Sequence, residues 1–145
     1  MPNTIDESHT LGTRRVRLAD VAACMAAIAA VKISLGWRGF AETFRRIEAR
    51  SATTFSPRDA DDTVVARLDY VVAVAAALYP GRALCLERSL VLYQRLRRAG
   101  ARAEFRLGVQ AAPFAAHAWI ERHGAPLNDV LEHVEQFTPV ALGAR

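Results

Sequence analysis

One change of hydrophobic period divides this chain. Up to Gly100 the apolar residues recur at intervals of three and four, and from Arg102 they alternate, with Ala103, Phe105, Leu107 and Val109 on one side of a strand. Phe114 to Glu121 reads as a second strand. Helices come first and a small antiparallel sheet comes after them, which is an α+β arrangement.

The helical part has internal punctuation. Arg14 to Ser34 is Ala-rich and reads as one helix, and Gly36 is its expected stop. A second helix is expected over Trp37 to Arg50, with Trp37, Phe40, Phe44 and Ile47 on one apolar core face. Pro57-Arg58-Asp59 opens a third, whose Val64, Val65, Leu68, Val71, Val72 and Ala75 keep helical spacing until Pro80-Gly81. A fourth begins at Cys85, carries Glu87 in its first turn and Arg95, Arg97 and Arg98 in its last, and stops at Gly100. Met1 to Gly12 reads as a loose terminus.

A chain of 145 residues suits one domain, since a polypeptide of that size buries roughly 68–70% of its unfolded surface. We expect a single domain over 1–145, with a helical part over 1–80 and a helix-and-sheet part over 81–145. The net charge of +4 comes from arginines spread along the chain, without interleaved aromatics or a recognition motif, which argues against nucleic-acid binding. Two cysteines, Cys24 and Cys85, are too few for a disulfide scaffold, so reduced thiols and a cytoplasmic location are expected. Arg14, Arg15 and Arg17 precede an apolar run from Val21 to Val31, as in an export signal, but Asp20 and Lys32 bound that run. It falls short of the roughly 20 residues of a membrane span, so no stable membrane insertion is expected.

Cys85 is the candidate nucleophile. A helix start presents unpaired backbone N–H groups and the positive end of the dipole, which favour a thiolate. A base must then take the thiol proton and return it to a leaving amine, and His117, in mid-strand between small alanines, suits that work. Asp129 is the candidate for orienting the imidazole. With Arg122, His123 and Gly124 as a three-residue hairpin loop, Glu121 pairs with Ala125 and His117 with Asp129, on one face. A two-residue loop at His123-Gly124 would oppose Asp129 to Ala118 instead. Taken singly, Cys85 could be a small buried hydrophobe, His117 a core histidine and Asp129 a turn residue. No metal or other cofactor is expected: His117 and His123 are about 20 Å apart on an extended strand, and His133 and Cys24 lack paired ligand spacing.

The stretch Cys85-Leu86-Glu87-Arg88-Ser89-Leu90, then Gly108-Val109, Phe114-Ala115-Ala116-His117-Ala118-Trp119-Ile120-Glu121, Gly124 and Asn128-Asp129, resembles the transglutaminase-like leader peptidases of lasso-peptide biosynthesis. The resemblance implies a transglutaminase-like, papain-like fold with a catalytic helix packed on the sheet. It puts the family's catalytic cysteine on Cys85, its histidine on His117 and its aspartate on Asp129. Arg88 and Ser89 belong to the motif without an assigned role, a structural one being favoured for Arg88. The implied activity is hydrolysis of the bond joining leader to core in a lasso precursor peptide. The implied partners are a separate leader-recognition protein, as for the stand-alone form of the family, and an ATP-dependent lasso cyclase that uses the freed amine. A transglutaminase or amidase of the same fold and a non-catalytic scaffold are the alternatives.

Overall fold

The computed structural model describes residues 16–51 and 58–142. The elements run α1 (Leu18–Ser51), α2 (Asp62–Leu78), α3 (Cys85–Arg98), β1 (Glu104–Ala111), β2 (Phe114–Arg122), β3 (Ala125–Pro126), α4 (Leu131–Val134) and β4 (Thr138–Pro139). The sheet is antiparallel with order β3-β2-β1-β4. Helices followed by a small sheet give the α+β arrangement expected from the change of period.

Helix α1 breaks at Gly39, not at Gly36. Gly39 takes φ 73 and ψ 178, a left-handed conformation that glycine adopts without a Cβ penalty. The break shifts the phase of the apolar stripe, so Trp37 stays with the first segment and is 88% exposed. Phe40 and Phe44, on the second segment, stack at 5.7 Å and both meet Phe105 of β1. The expected core face therefore loses Trp37 and keeps its other three members. Arg14 and Arg15 lie outside the described residues, as do Met1 to Gly12 and Pro57.

Helix α2 starts later than expected. Asp61 is its N-cap and accepts a hydrogen bond from Thr63 N at 3.3 Å, leaving Arg58 and Asp59 in the preceding loop. Val64 faces solvent, while Val65, Val71, Val72 and Ala75 are buried. Val21, Cys24, Ile28 and Val31 of α1 join them, along with Leu90, Leu92 and Leu96 of α3. Side chains of this kind contribute roughly 1.5–3 kcal/mol each on full burial, which is what holds the three helices together. Helix α1 is long and apolar enough to cross a membrane by length and composition, yet that buried stripe faces α2 and α3.

Helix α3 begins at Cys85, as expected. Its end is closed by Gly100 at φ 76, with Ala101 N bonded back to Leu96 O at 2.9 Å and Gly100 N to Arg97 O at 3.0 Å. Ala118 and Ile120 of β2 enter the helical core, which leaves His117 and Trp119 on the opposite face of the strand. Strand β1 runs Glu104–Ala111 rather than from Arg102, because Arg102 N is held by Asp59 Oδ1 at 2.8 Å.

Candidate active site

The hairpin after β2 is the tighter one. Glu121 pairs with Pro126 and Arg122 with Ala125, so the loop is His123-Gly124, with φ 53 and φ 78. Two successive positive φ values give a type I′ turn, whose twist suits a two-residue connection. This corrects the three-residue loop, and with it the direct pairing of His117 with Asp129. The two side chains meet nevertheless, because the register of the hairpin is followed only as far as Leu127.

Beyond Leu127 a side chain takes the place of the strand. Leu127 N bonds Ile120 O at 2.8 Å, and Asn128 Oδ1 then accepts from Ile120 N at 2.8 Å. Asn128 Nδ2 donates to Ser89 Oγ at 3.0 Å, and Ser89 Oγ donates to Ala118 O at 3.0 Å. The β2 edge that a longer β3 would have covered is thus satisfied by α3 and by Asn128. One network locks the helix that begins at Cys85, the residue after His117 and the residue before Asp129.

Asp129 is held by three donors. His117 Nε2 bonds Oδ2, Val130 N donates to Oδ1 at 2.7 Å, and His133 Nδ1 lies 2.9 Å from Oδ2. Burial alone would raise this carboxyl, but the bonds from His133, Val130 N–H and His117 outweigh it and hold the carboxyl below its usual range. An ionised carboxylate only accepts, so Nε2 of His117 carries a proton and Nδ1 is the ring nitrogen left to exchange one. The orienting bond thereby commits Nε2 to Asp129 and leaves Nδ1 as the nitrogen not engaged by the carboxylate.

Rings fix the imidazole from below. Trp119 stacks against His117 at 5.8 Å, Phe137 lies 5.1 Å away and His133 4.6 Å. Trp119 is 2% exposed and its Nε1 donates to Glu121 Oε1 at 3.1 Å, so it both packs and shields. The room for this stack comes from Gly108, the cross-strand partner of His117: a Cβ there would lie 2.7 Å from Phe137 Cβ and 2.9 Å from Trp119 Cη2.

Cys85 is half-buried at the first position of α3. Leu84 supplies no side-chain cap, and the first intrahelical bond is Arg88 N to Leu84 O at 3.1 Å. The N–H groups of Cys85, Leu86 and Glu87 are left without intrahelical acceptors, an arrangement suited to an anion. Lys32 of α1 braces this junction from both sides, bonding Arg82 O and reaching Glu87 Oε1 at 3.4 Å. Among the described residues the Cys85 thiol makes no hydrogen bond to His117; such bonds are often long until substrate binds. The other thiol, Cys24, is 3% exposed, and burial pushes it up against the opposing charge of Arg95, which suits an inert packing role.

Arg88 turns away from this centre. It lies 4.0 Å from Asp69 of α2, whose carboxyl is pushed up by burial and pulled back by Arg88, so it serves helix packing. His133 and Asn128 are the residues whose part in the site sequence reasoning passed over. His133 had a signal, its i+4 spacing from Asp129 on one helical turn. His117, Asp129 and His133 offer three ligand atoms within 4.8 Å, a spacing that fits a metal ion. An ion there would compete with the bonds Asp129 already accepts.

No curated protein and no solved structure matches the chain significantly. Residues 14–142 match the Transglutaminase-like superfamily, a span that covers α1 to β4 and includes Cys85, His117 and Asp129. The chain therefore belongs to the transglutaminase-like superfamily.

Proposed function

We propose that this protein is a cysteine peptidase that removes the leader from a lasso-peptide precursor, with Cys85 as nucleophile, His117 as general base and acid, and Asp129 as the orienting carboxylate. The observation that supports the catalytic part of this reading is the bond from His117 Nε2 to an ionised Asp129, because it leaves Nδ1 to exchange a proton with the thiol. The lasso precursor as substrate rests on the sequence resemblance. In the proposed reaction Nδ1 takes the Cys85 proton and the sulfur attacks the last carbonyl of the leader. The uncapped N–H groups at the start of α3 receive the negative charge that develops on oxygen. The imidazolium protonates the departing amine, the C–N bond breaks and a thioester forms. Water then adds to the thioester carbonyl, losing its proton to the same nitrogen; the C–S bond breaks, the leader leaves with a new carboxylate, and the imidazolium returns the proton to the Cys85 sulfur.

The freed core amine is the chemical handle that an ATP-dependent cyclase needs, and a separate leader-recognition protein presents the substrate in the cytoplasm. The test is a product assay: precursor peptide, this protein and the leader-recognition protein are incubated with and without a primary amine, and products are weighed by mass spectrometry. The expected result is a leader ending in a free carboxylate and a core with a free amine, whether or not the primary amine is present. A leader joined to the added amine would replace hydrolysis with acyl transfer, the other chemistry of the fold.

A further inference from the structure

A cavity of about 470 Å³ lies between the two segments of α1 and the far end of α3. Part of its lining is apolar, a floor of Ala27, Ala30, Val31 and Ile47. The larger part is polar, with Ser34, Thr43 and Gln94 beside Arg38, Arg46, Arg50, Arg95 and Arg98. Arg46 is paired with Glu42 at 2.7 Å. Among the described residues Arg38, Arg50, Arg95 and Arg98 have no carboxylate partner, although several other arginines of this chain do. The Nε of Arg95 is fully buried with no hydrogen-bond acceptor, a cost that native structures ordinarily avoid. The break at Gly39 falls between the lining residues of the first segment, which end at Arg38, and those of the second, which begin at Thr43.

The mouth of the cavity continues onto a bare helix face. Ala22, Ala26, Ala30, Ile33 and Trp37 are exposed at intervals of three and four along α1, and Ala26 and Ala30 belong to both surfaces. An occupant must therefore present carboxylates to guanidinium forks and apolar side chains to an alanine-lined floor. A lone phosphate fills only a fraction of this volume and has no use for the floor. A bilayer surface is flat, whereas these arginines converge on a concavity. We propose that this cavity is a docking site for an acidic, amphipathic peptide segment.

The lining residues Gln94, Arg95 and Arg98 lie nine to thirteen positions after Cys85, about 14–20 Å at the helical rise. If Cys85 is the nucleophile proposed above, a segment docked here would be tethered to the reacting bond by about four to six extended residues. That last step rests on the peptidase reading, but the docking does not.

The experiment uses the full chain with Cys85→Ala, so that binding is read without turnover. A fluorescein-labelled peptide of repeating Glu-Ala-Ala-Leu is titrated and followed by anisotropy, beside a peptide with glutamine in place of glutamate. Saturable binding of the acidic peptide alone is expected, weakened about tenfold or more by Arg38→Glu with Arg98→Glu. Ala30→Trp, which fills the cavity at unchanged charge, is expected to weaken it similarly, with circular dichroism reporting retained fold. The same two-charge reversal at Arg17 and Arg102, outside the cavity, is expected to have little effect. Equal losses for both reversals, an unaffected Ala30→Trp variant, or no saturable binding would overturn the proposal. So would binding to phosphatidylserine vesicles that depends on Arg38 and Arg98 when the peptide does not bind.

Discussion

Asn128 donates from Nδ2 to Ser89 Oγ at 3.0 Å, joining residues 39 apart in sequence at the centre of the candidate site. Ser89 lies one turn after Cys85, and Asn128 immediately precedes Asp129. Their bond therefore sets the position of the helix that begins at Cys85 relative to the strand and loop that carry His117 and Asp129. Removing the side chain in Asn128→Ala leaves the buried Ile120 N–H without its acceptor and takes from Ser89 Oγ its donor, while Ser89 keeps its bond to Ala118 O, at a cost of about 1–3 kcal/mol. Turnover is expected to fall about tenfold through kcat with KM little changed, in line with a displaced reacting group. Asn128→Asp keeps the acceptor for Ile120 N and loses the donor, and should fall between the two. Urea midpoints and steady-state kinetics check both.

Gly108→Ala places a Cβ against Phe137 Cβ, which cannot swing away as a side-chain tip would. Trp119 and Phe137 must shift, and His117 loses its support. A loss of about 1–3 kcal/mol is expected from overpacking, with kcat lower by about an order of magnitude. Gly36 provides the contrast, since a Cβ there meets nothing. Gly36→Ala in mid-helix should stabilise by about 0.5–1 kcal/mol. Thermal melts of the two variants should move in opposite directions.

Asp129 gives a pH dependence of defined sign. Its folded carboxyl is held below the ordinary range, so the stability it contributes is complete above its unfolded value and is lost as pH falls through the folded one. Asp129→Asn should therefore be less stable than the parent at pH 7, by about 1–2 kcal/mol for the charge-assisted bonds it weakens. The gap should narrow as pH drops below about 3.9, the unfolded carboxyl value. Denaturant midpoints across pH 2.5–7 (roughly the span set by that value) measure it.

Arg122 ties the end of β2 to the start of α2. Its Nη1 bonds Asp59 Oδ1 at 2.7 Å, and its Nη2 bonds Ala60 O at 2.9 Å and Asp62 Oδ1 at 3.0 Å. Its side chain is only 7% exposed. Lysine offers a point charge where a planar fork is used, so Arg122→Lys is expected to cost about 2 kcal/mol rather than to be silent. An unchanged urea midpoint would mean that the clamp adds nothing to the fold.

The residue types that act locally could be read from the sequence. Glu87, the late arginines and Gly100 frame α3, and the alternation of β1 and β2 comes from Phe105, Leu107 and their neighbours. Gly36 and Gly39 were both fit to end a helix, and the aromatic contacts of Phe40 and Phe44 with Phe105 decide for Gly39. Gly124 suits either hairpin loop, and only the positive φ of His123 distinguishes them. Asp129 reaches His117 for a reason that no strand count contains: Asn128 takes over the ladder with its side chain. His133 offered only its i+4 spacing from Asp129, and whether that spacing brings the two together depends on the one-turn helix placed just after Asp129.

The most direct test of the central claim compares wild type with Cys85→Ala on the precursor peptide, with the leader-recognition protein verified as bound, by mass spectrometry of the digest. The account predicts cleavage at one leader–core bond by wild type and none by the variant. Equal cleavage by both, or none by wild type, would contradict it.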